Sequence, residues 1–314
     1  PVSPATPDAT LASRDLREGG RWTWAQSLKN ALIYASARAL LAGLGPLPRP
    51  WLLALGRGLG AVAHALLRHA RLTAARNVRR GLPDLSEAER DALVRSTFRA
   101  LGAHLGDTVD LYGKSSLSAV LPLEEGSDAV LAEARRDGRG VVFASAHLGP
   151  WERVAASLVR ADVPLVTLAR AAYDPRLTRV LVALRERHGV RAIFRGTAGA
   201  AARIVRTLRS GGVLGAPMDL ASRVPTVEVP FLGVPAPTPV GPARLALRTG
   251  ARVVVGTYTP GDCIRIRAIR TDDLTSGEAG ERELLRRVND ELSARIRGAP
   301  THWPWMHERF PAPR

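Results

Sequence analysis

The sequence predicts an α/β protein with a mostly parallel central sheet flanked by helices, preceded by apolar and basic helical segments. Three observations carry that class. From residue 141 onward, short apolar runs of strand length alternate with segments of helical period, the pattern of β–α units in a parallel sheet. A chain of 314 residues is long enough to bury a substantial core. Cys263 is the single cysteine, which excludes an intramolecular disulfide and a cysteine-built metal site.

Residues 1–20 are polar and rich in Pro, Ser and Asp, and read as a disordered tail. They contain no apolar h-region with a small-residue cleavage site, so a secretory signal peptide is not expected. Residues 21–80 form a second unit in which apolar blocks (Trp22, Trp24, Leu28, Leu32, Leu40, then Trp51 to Leu67) alternate with basic residues. Pro46, Pro48 and Pro50 divide it into two helices. Tryptophan at the ends with arginine opposite suits helices lying in a membrane interface; a helical cap packed on the remaining chain is the other reading. No uncharged stretch reaches the ~18 to 20 residues of a spanning helix.

Residues 81–314 form the α/β unit. Pro83 to Gly106 reads as an amphipathic helix, opened by a Ser86–Glu89 capping box and carrying a stripe of Val94, Phe98, Leu101 and Leu105. A serine-rich connector at Ser115 to Ser118 follows. Strands are expected at Val141–Ala146, Val163–Leu168, Arg191–Phe194, Val213–Met218, Arg252–Tyr258 and Cys263–Ile269. Helices are expected at Trp151–Arg160, Pro175–His188 and Ala198–Arg209. A last helix at Glu281–Arg297 should bury Leu284, Leu285, Val288, Leu292 and Ile296.

The formal charge is +16, and Lys29 and Lys114 are the only lysines, so the excess is arginine. Guanidinium grips phosphate in a bidentate fork, so anionic partners are expected: a phospholipid surface, a phosphorylated lipid, an acidic carrier protein or nucleic acid. Zinc-finger spacing and an RNP aromatic pattern are absent, so nucleic acid is not the expected partner.

The run Val141-Val-Phe-Ala-Ser-Ala-His147-Leu-Gly-Pro-Trp-Glu152-Arg holds the candidate chemistry. A buried strand delivers His147 to a helix mouth, where α/β sheets place their ligands. Neutral imidazole there can take a proton from an alcohol, and a carboxylate can fix its tautomer. Glu152 sits five residues on, inside the first turn of the helix, and can reach back. A Gly-x-Ser-x-Gly elbow is absent, and His-x4-Glu lacks the zincin spacing. A histidine and a capping glutamate with purely structural roles would give the same letters.

His147-Leu-Gly-Pro-Trp-Glu152 resembles the His-Leu-Gly-Asn-Trp-Glu signature of the late lipid A acyltransferases, the lauroyl and myristoyl transferases of Gram-negative inner membranes. Ordered matches run from about Trp22 to Phe310. They include Ala75-Arg-Asn-Val-Arg-Arg-Gly-Leu-Pro-Asp-Leu-Ser86, Arg170, Arg185, Arg195, Met218-Asp219, Val229-Pro-Phe-Leu-Gly233, Pro237-Thr-Pro-Val-Gly-Pro-Ala243 and Trp305-Met-His-Glu-Arg-Phe310. Pro150 stands where that family has Asn, and Leu220 where it has Gln. The same His-x4-acid dyad is shared with phosphatidylinositol mannoside and glycerolipid acyltransferases.

The resemblance implies a glycerol-3-phosphate-acyltransferase-like fold and transfer of a fatty acyl group from a thioester to a hydroxyl of a lipid A precursor. It makes His147 the general base, Glu152 its orienting acid, and Trp151, Arg170, Arg185, Arg195 and Asp219 substrate-binding positions. Asp219 is expected to orient an arginine or a loop, and Trp303 and Trp305 to pack on the sheet or the membrane. No metal or tightly bound cofactor is expected, because the thioester supplies the activated carbon. The implied partners are an acyl-carrier protein (or CoA thioester), the lipid acceptor and an anionic membrane surface. The implied location is the cytoplasmic face of the inner membrane, held peripherally or monotopically. Acyl transfer to another glycolipid or lysophospholipid, and a basic membrane- or nucleic-acid-binding protein without catalysis, are the alternatives.

Overall fold

A computed structural model of the protein describes residues 21–114, 119–221 and 224–310. The expected tail at residues 1–20 and the serine connector at 115–118 lie outside them.

Among the described residues the fold opens with four helices: α1 (Trp24–Leu44), α2 (Arg49–Leu66), α3 (Arg68–Gly81) and α4 (Glu87–Gly113). Thr23 and Gln26 form a capping box at the start of α1. Pro50, in the first turn of α2, marks the expected proline break. A second break, which no proline or glycine announces, falls at Leu67 and turns α2 from α3 by 92°. Arg71 on α3 reaches back to the carbonyls of His64 and Ala65, at 2.5 and 3.2 Å, so the orphan acceptors at the end of α2 are satisfied by side chain. The basic-apolar segment is therefore three helices where two were expected. Among the described residues no single helix is long and apolar enough to cross a membrane, although the bent pair α2–α3 passes that test together.

Helix α4 begins at the expected capping box: Ser86 Oγ accepts from Glu89 N at 3.3 Å, and Glu89 Oε2 accepts from Ser86 N at 2.8 Å. Its buried face departs from the expected stripe. Val94 and Phe98 are buried, but Leu105 is 57% exposed. The row facing α2 is instead Gly102 and Gly106, and beyond it α4 buries His104, Asp107, Asp110, Leu111 and Tyr112. A Cβ on Gly102 would sit 2.1 Å from the carbonyl oxygen of Gly56, and one on Gly56 would sit 2.1 Å from that of Gly102. Gly60 and Gly106 approach Phe98 and Leu52 carbonyls equally closely. The helices touch backbone to backbone, which admits no side chain.

Gly102→Ala should therefore destabilise the protein by about 2 kcal/mol through overpacking. The same change at Gly58, which has nothing within 4 Å of the added methyl, should stabilise by about 0.5–1 kcal/mol through helix propensity. Paired denaturation curves check the opposite signs.

After α5 (Ser127–Arg135) the chain alternates β1 (Val141–Ser145), α6 (Trp151–Arg160), β2 (Leu165–Ala169), α7 (Pro175–Arg187), β3 (Arg191–Phe194), α8 (Ala200–Arg209) and β4 (Val213–Pro217). Next come β5 (Thr226–Phe231), β6 (Val234–Pro239), α9 (Gly241–Thr249), β7 (Arg252–Thr259), β8 (Cys263–Ile269), α10 (Glu278–Gly298) and a 3₁₀ turn at Pro300–His302. The main sheet has the order β3-β2-β4-β1-β7-β8, parallel except for β8, which pairs antiparallel with β7 at one edge. Every expected strand is present, and the five expected residues of α10 are buried.

The β5–β6 hairpin is not among the expected strands, and its Pro230, Pro235, Pro237 and Pro239 run against strand propensity. A two-stranded ribbon tolerates them. Leu232 and Gly233 turn it with φ of 53° and 84°, the signs of a type I′ hairpin. Leu232 is held there by burial and by its N–H bond to Ser293 Oγ at 2.8 Å.

Candidate active site

Strand register assembles the site. β1 and β4 are parallel neighbours with Ser145 opposite Pro217, so residues two positions beyond each strand end emerge side by side. These are His147 and Asp219. The same logic runs across β2 and β3, where Ala169 pairs with Phe194, and places Arg170 beside Arg195. All four groups thus stand at the carboxyl edge of the parallel strands, the usual ligand position of an α/β sheet.

Asp219 is fully buried and accepts three hydrogen bonds: from His147 Nδ1 to Oδ1 at 2.9 Å, and from His147 N and Trp303 Nε1 to Oδ2 at 2.9 and 2.8 Å. Burial alone would raise its pKa; the His147 charge and these donors overcome that and hold the carboxyl below the ordinary aspartate value. An ionised carboxylate can only accept, so Nδ1 of His147 carries the proton and Nε2 is the basic nitrogen. Burial pulls the imidazole down, but the charge and hydrogen bond of Asp219, with Glu152 adding to them, leave its pKa above 6.5. The pair therefore corrects the expectation that Asp219 serves an arginine or a loop: its partner is the histidine.

Glu152 lies in the first turn of α6 but is engaged elsewhere. Tyr112 donates to its Oε2 at 2.6 Å, Arg185 Nε donates to the same oxygen at 2.9 Å, and Arg185 Nη2 donates to Oε1. Burial would raise the Glu152 pKa, and the Arg185 hydrogen bond and charge outweigh it, so the group lies below the ordinary glutamate range. Burial and the Glu152 charge push the Tyr112 phenol up, which keeps it a donor. The sequence reading gave Glu152 the task of orienting His147; in the structure the hydrogen bond to His147 belongs to Asp219, and Glu152 acts on the imidazole through its nearby charge. Trp151 stands edge-on to the His147 ring at 5.2 Å between centroids.

Behind α6, Arg153 is wholly buried, with Asp107 and Asp110 of α4 each 2.7 Å from its guanidinium. This cluster, with Arg49 on Asp107 at 2.7 Å, pins the helix that presents Trp151 and Glu152. Sequence reasoning gave Arg153 and Tyr112 no role and Trp303 a packing role alone, without its bond to Asp219. The tail Trp residues are buried in the core rather than on a membrane face, with Trp303 and Trp305 both at 0% exposure.

These groups open onto a cavity of about 980 Å³. His147, Trp151, Glu152, Arg170, Arg185 and Arg195 all line it. Its other walls are largely apolar and include Phe143, Val154, Leu158, Leu165, Leu181 and Leu220. Burial lowers the Arg195 pKa and the Arg170 charge lowers it further, the signature of two cations brought close. Among the described residues no group of three or more His, Cys, Asp or Glu side chains could hold a metal ion.

The chain matches the family model described as bacterial lipid A biosynthesis acyltransferase across residues 23–311. It is 26% identical over 268 residues to a lipid A biosynthesis palmitoleoyltransferase of Escherichia coli, covering 84% of this chain and 86% of that protein. It is 29% identical over 178 residues to a phosphatidylinositol mannoside acyltransferase of Mycolicibacterium smegmatis, covering 55% and 57% respectively. A Mycobacterium tuberculosis protein of the same name is 28% identical over 188 residues. The match spans a little over half the length of these mannoside acyltransferases, 57% in both cases.

Proposed function

The chain belongs to the bacterial lipid A biosynthesis acyltransferase family, and from that premise we propose that it moves a fatty acyl group from a thioester donor to a hydroxyl of a lipid A precursor. The observation that carries this reading is His147, held at Nδ1 by a buried carboxylate and facing a large, mostly apolar cavity. The acceptor hydroxyl gives its proton to Nε2 as its oxygen attacks the thioester carbonyl. The tetrahedral intermediate then collapses, the C–S bond breaks, and the imidazolium returns the proton to the departing thiolate. Asp219 holds the tautomer throughout, and Glu152 adds negative charge that favours the imidazolium while anchoring Arg185. The apolar wall from Phe143 to Leu181 takes the acyl chain. Arg170 and Arg195 take a phosphate of the acceptor or of the donor's pantetheine arm.

The helix-flanked sheet reads as glycerol-3-phosphate-acyltransferase-like. The donor is an acyl-carrier protein, whose acidity suits a chain of charge +16. No further cofactor is invoked. Helices α1 and α2 lie on the cytoplasmic face of the inner membrane. Trp51, Leu55, Leu59, Val62 and Leu66 recur on one outer face of α2 at 44–74% exposure, a stripe suited to the headgroup boundary. The names of the mycobacterial relatives favour one alternative acceptor, a mannosylated inositol lipid.

The test is an acyl-transfer assay with carrier-protein and CoA thioesters against a lipid A precursor, a phosphatidylinositol mannoside and a lysophospholipid, alongside vesicle co-sedimentation. Transfer to the lipid A precursor is expected. Transfer confined to another acceptor would keep the chemistry and reject the substrate, and no transfer from either donor would reject the enzyme.

A further inference from the structure

Two motifs remain without a role in this mechanism: Arg76-Asn77 on α3, and the segment Trp303 to Phe310 beyond α10. The structure joins them. Asn77, fully buried, donates through Nδ2 to the carbonyls of Trp305 and His307 at 2.8 and 2.6 Å. Arg76 pairs with Glu308 at 2.7 Å. Buried Arg309 donates to Pro237 O and Thr238 Oγ1 at 2.5 and 3.0 Å and lies over the Phe231 ring at 4.4 Å. The segment is thus fixed on both sides.

What it presents to the site is specific. Trp303 donates its indole N–H to Asp219 Oδ2 at 2.8 Å, with both groups at 0% exposure. The carbonyl of the preceding residue, His302, accepts from Gly149 N at 3.0 Å, in the turn that carries His147. We propose that Trp303 is a positioning residue for acyl transfer, its indole N–H fixing the Asp219 carboxylate that sets the orientation and tautomer of His147. The inference rests on His147 being the base.

The physical reason is the depth of Asp219. A carboxylate fully out of water is tolerated only where its oxygens are bonded. Without the indole donor, Oδ2 retains the His147 backbone N–H alone. The carboxylate then turns and concentrates its charge on the imidazolium, which makes His147 harder to deprotonate. The other charged and titratable groups that act on this pair are Glu152, Arg185 and His307 around His147, and His307 and Arg309 around Asp219. None of them changes in the test below.

Trp303→Phe keeps an aromatic ring between Phe231 and Trp305 but removes the donor. Trp305→Phe is the control: it deletes an indole bond of the same segment, to Pro300 O at 2.7 Å, that does not touch Asp219. For Trp303→Phe, kcat should fall about tenfold with KM unchanged. The acid limb of the rate profile and the His147 NMR titration midpoint should both move upward, by roughly half a unit or more. Trp305→Phe should lose comparable thermal stability with kcat and midpoint as in the parent.

If Trp303→Phe keeps parental kcat and midpoint, or if Trp305→Phe moves them equally, the tail is packing and the proposal is overturned. Should Trp303→Phe fail to fold, benzothienylalanine at position 303 removes the N–H at constant shape, and the same two outcomes apply. The titration needs no turnover, so it judges the relay even where the acyl-transfer reading itself has failed.

Discussion

His147→Ala is expected to lower kcat for acyl transfer by about 10³-fold, within the 10²–10⁴ range of a positioned general base, while vesicle binding stays at the parental level. The residue provides Nε2, the basic nitrogen facing the cavity, and nothing on neighbouring strands replaces it: Arg170 and Arg195 are cations and Glu152 is occupied by Arg185 and Tyr112. The side chain is 27% exposed, so its removal leaves a gap that water can enter, and folding should survive. The parental rate should also depend on pH in a defined direction. The His147 pKa is raised in the folded protein, so activity should climb with pH through a limb lying above 6.5 and fall away below it. A limb at or below the ordinary histidine value would contradict an ionised Asp219 beside the ring. Rate–pH profiles of kcat/KM for parent and variant measure both points.

The second large effect is expected at Asp219, with Glu152 as its foil. Asp219→Asn preserves shape but offers an amide where a carboxylate held Nδ1–H, so the imidazole is free to flip its tautomer. Loss of about 10²-fold or more in kcat should follow, together with a downward move of the His147 midpoint, because the charge that raised it has gone. Glu152→Gln removes a charge that acts on His147 without a hydrogen bond, so its effect on kcat should be nearer tenfold. Its larger consequence should be on Arg185, which loses its buried counter-charge, and therefore on KM for the acceptor. Should Glu152→Gln cost more kcat than Asp219→Asn, the division of labour argued from the hydrogen bonds is mistaken. Steady-state kinetics on the two variants decides it.

The parts of this site visible in the sequence are those written locally. The apolar run Val141–Ala146, the Gly-Pro turn and the Ser86–Glu89 capping box each lie within a few residues, and each corresponds to an element of the structure. Those invisible depend on neighbours chosen by the sheet. His147 and Asp219 are 72 residues apart, and only the strand order that makes β1 and β4 adjacent brings them into contact. No periodicity encodes that order, which is why the carboxylate nearest in sequence, Glu152, drew the assignment. Tyr112 and Arg153 escaped for a related reason: a phenol and a guanidinium inside apolar-looking helices are legible only once the carboxylates they meet are known. The Leu67 break escaped because the arginine that permits it is supplied from the following helix.

The line from His147 through Asp219 to Trp303 also has a meaning in time. Its members are separated by 72 and 84 residues. A chain made from its N-terminus folds its early elements first, so β1 and its histidine can be in place while Trp303 is still unsynthesised or inside the ribosome. Until that indole arrives, Asp219 lacks one of its three donors, and its Oδ2 has the His147 backbone N–H alone. The centre is therefore complete only once three segments far apart in the chain have met, and Trp303 is the last of the three to be made.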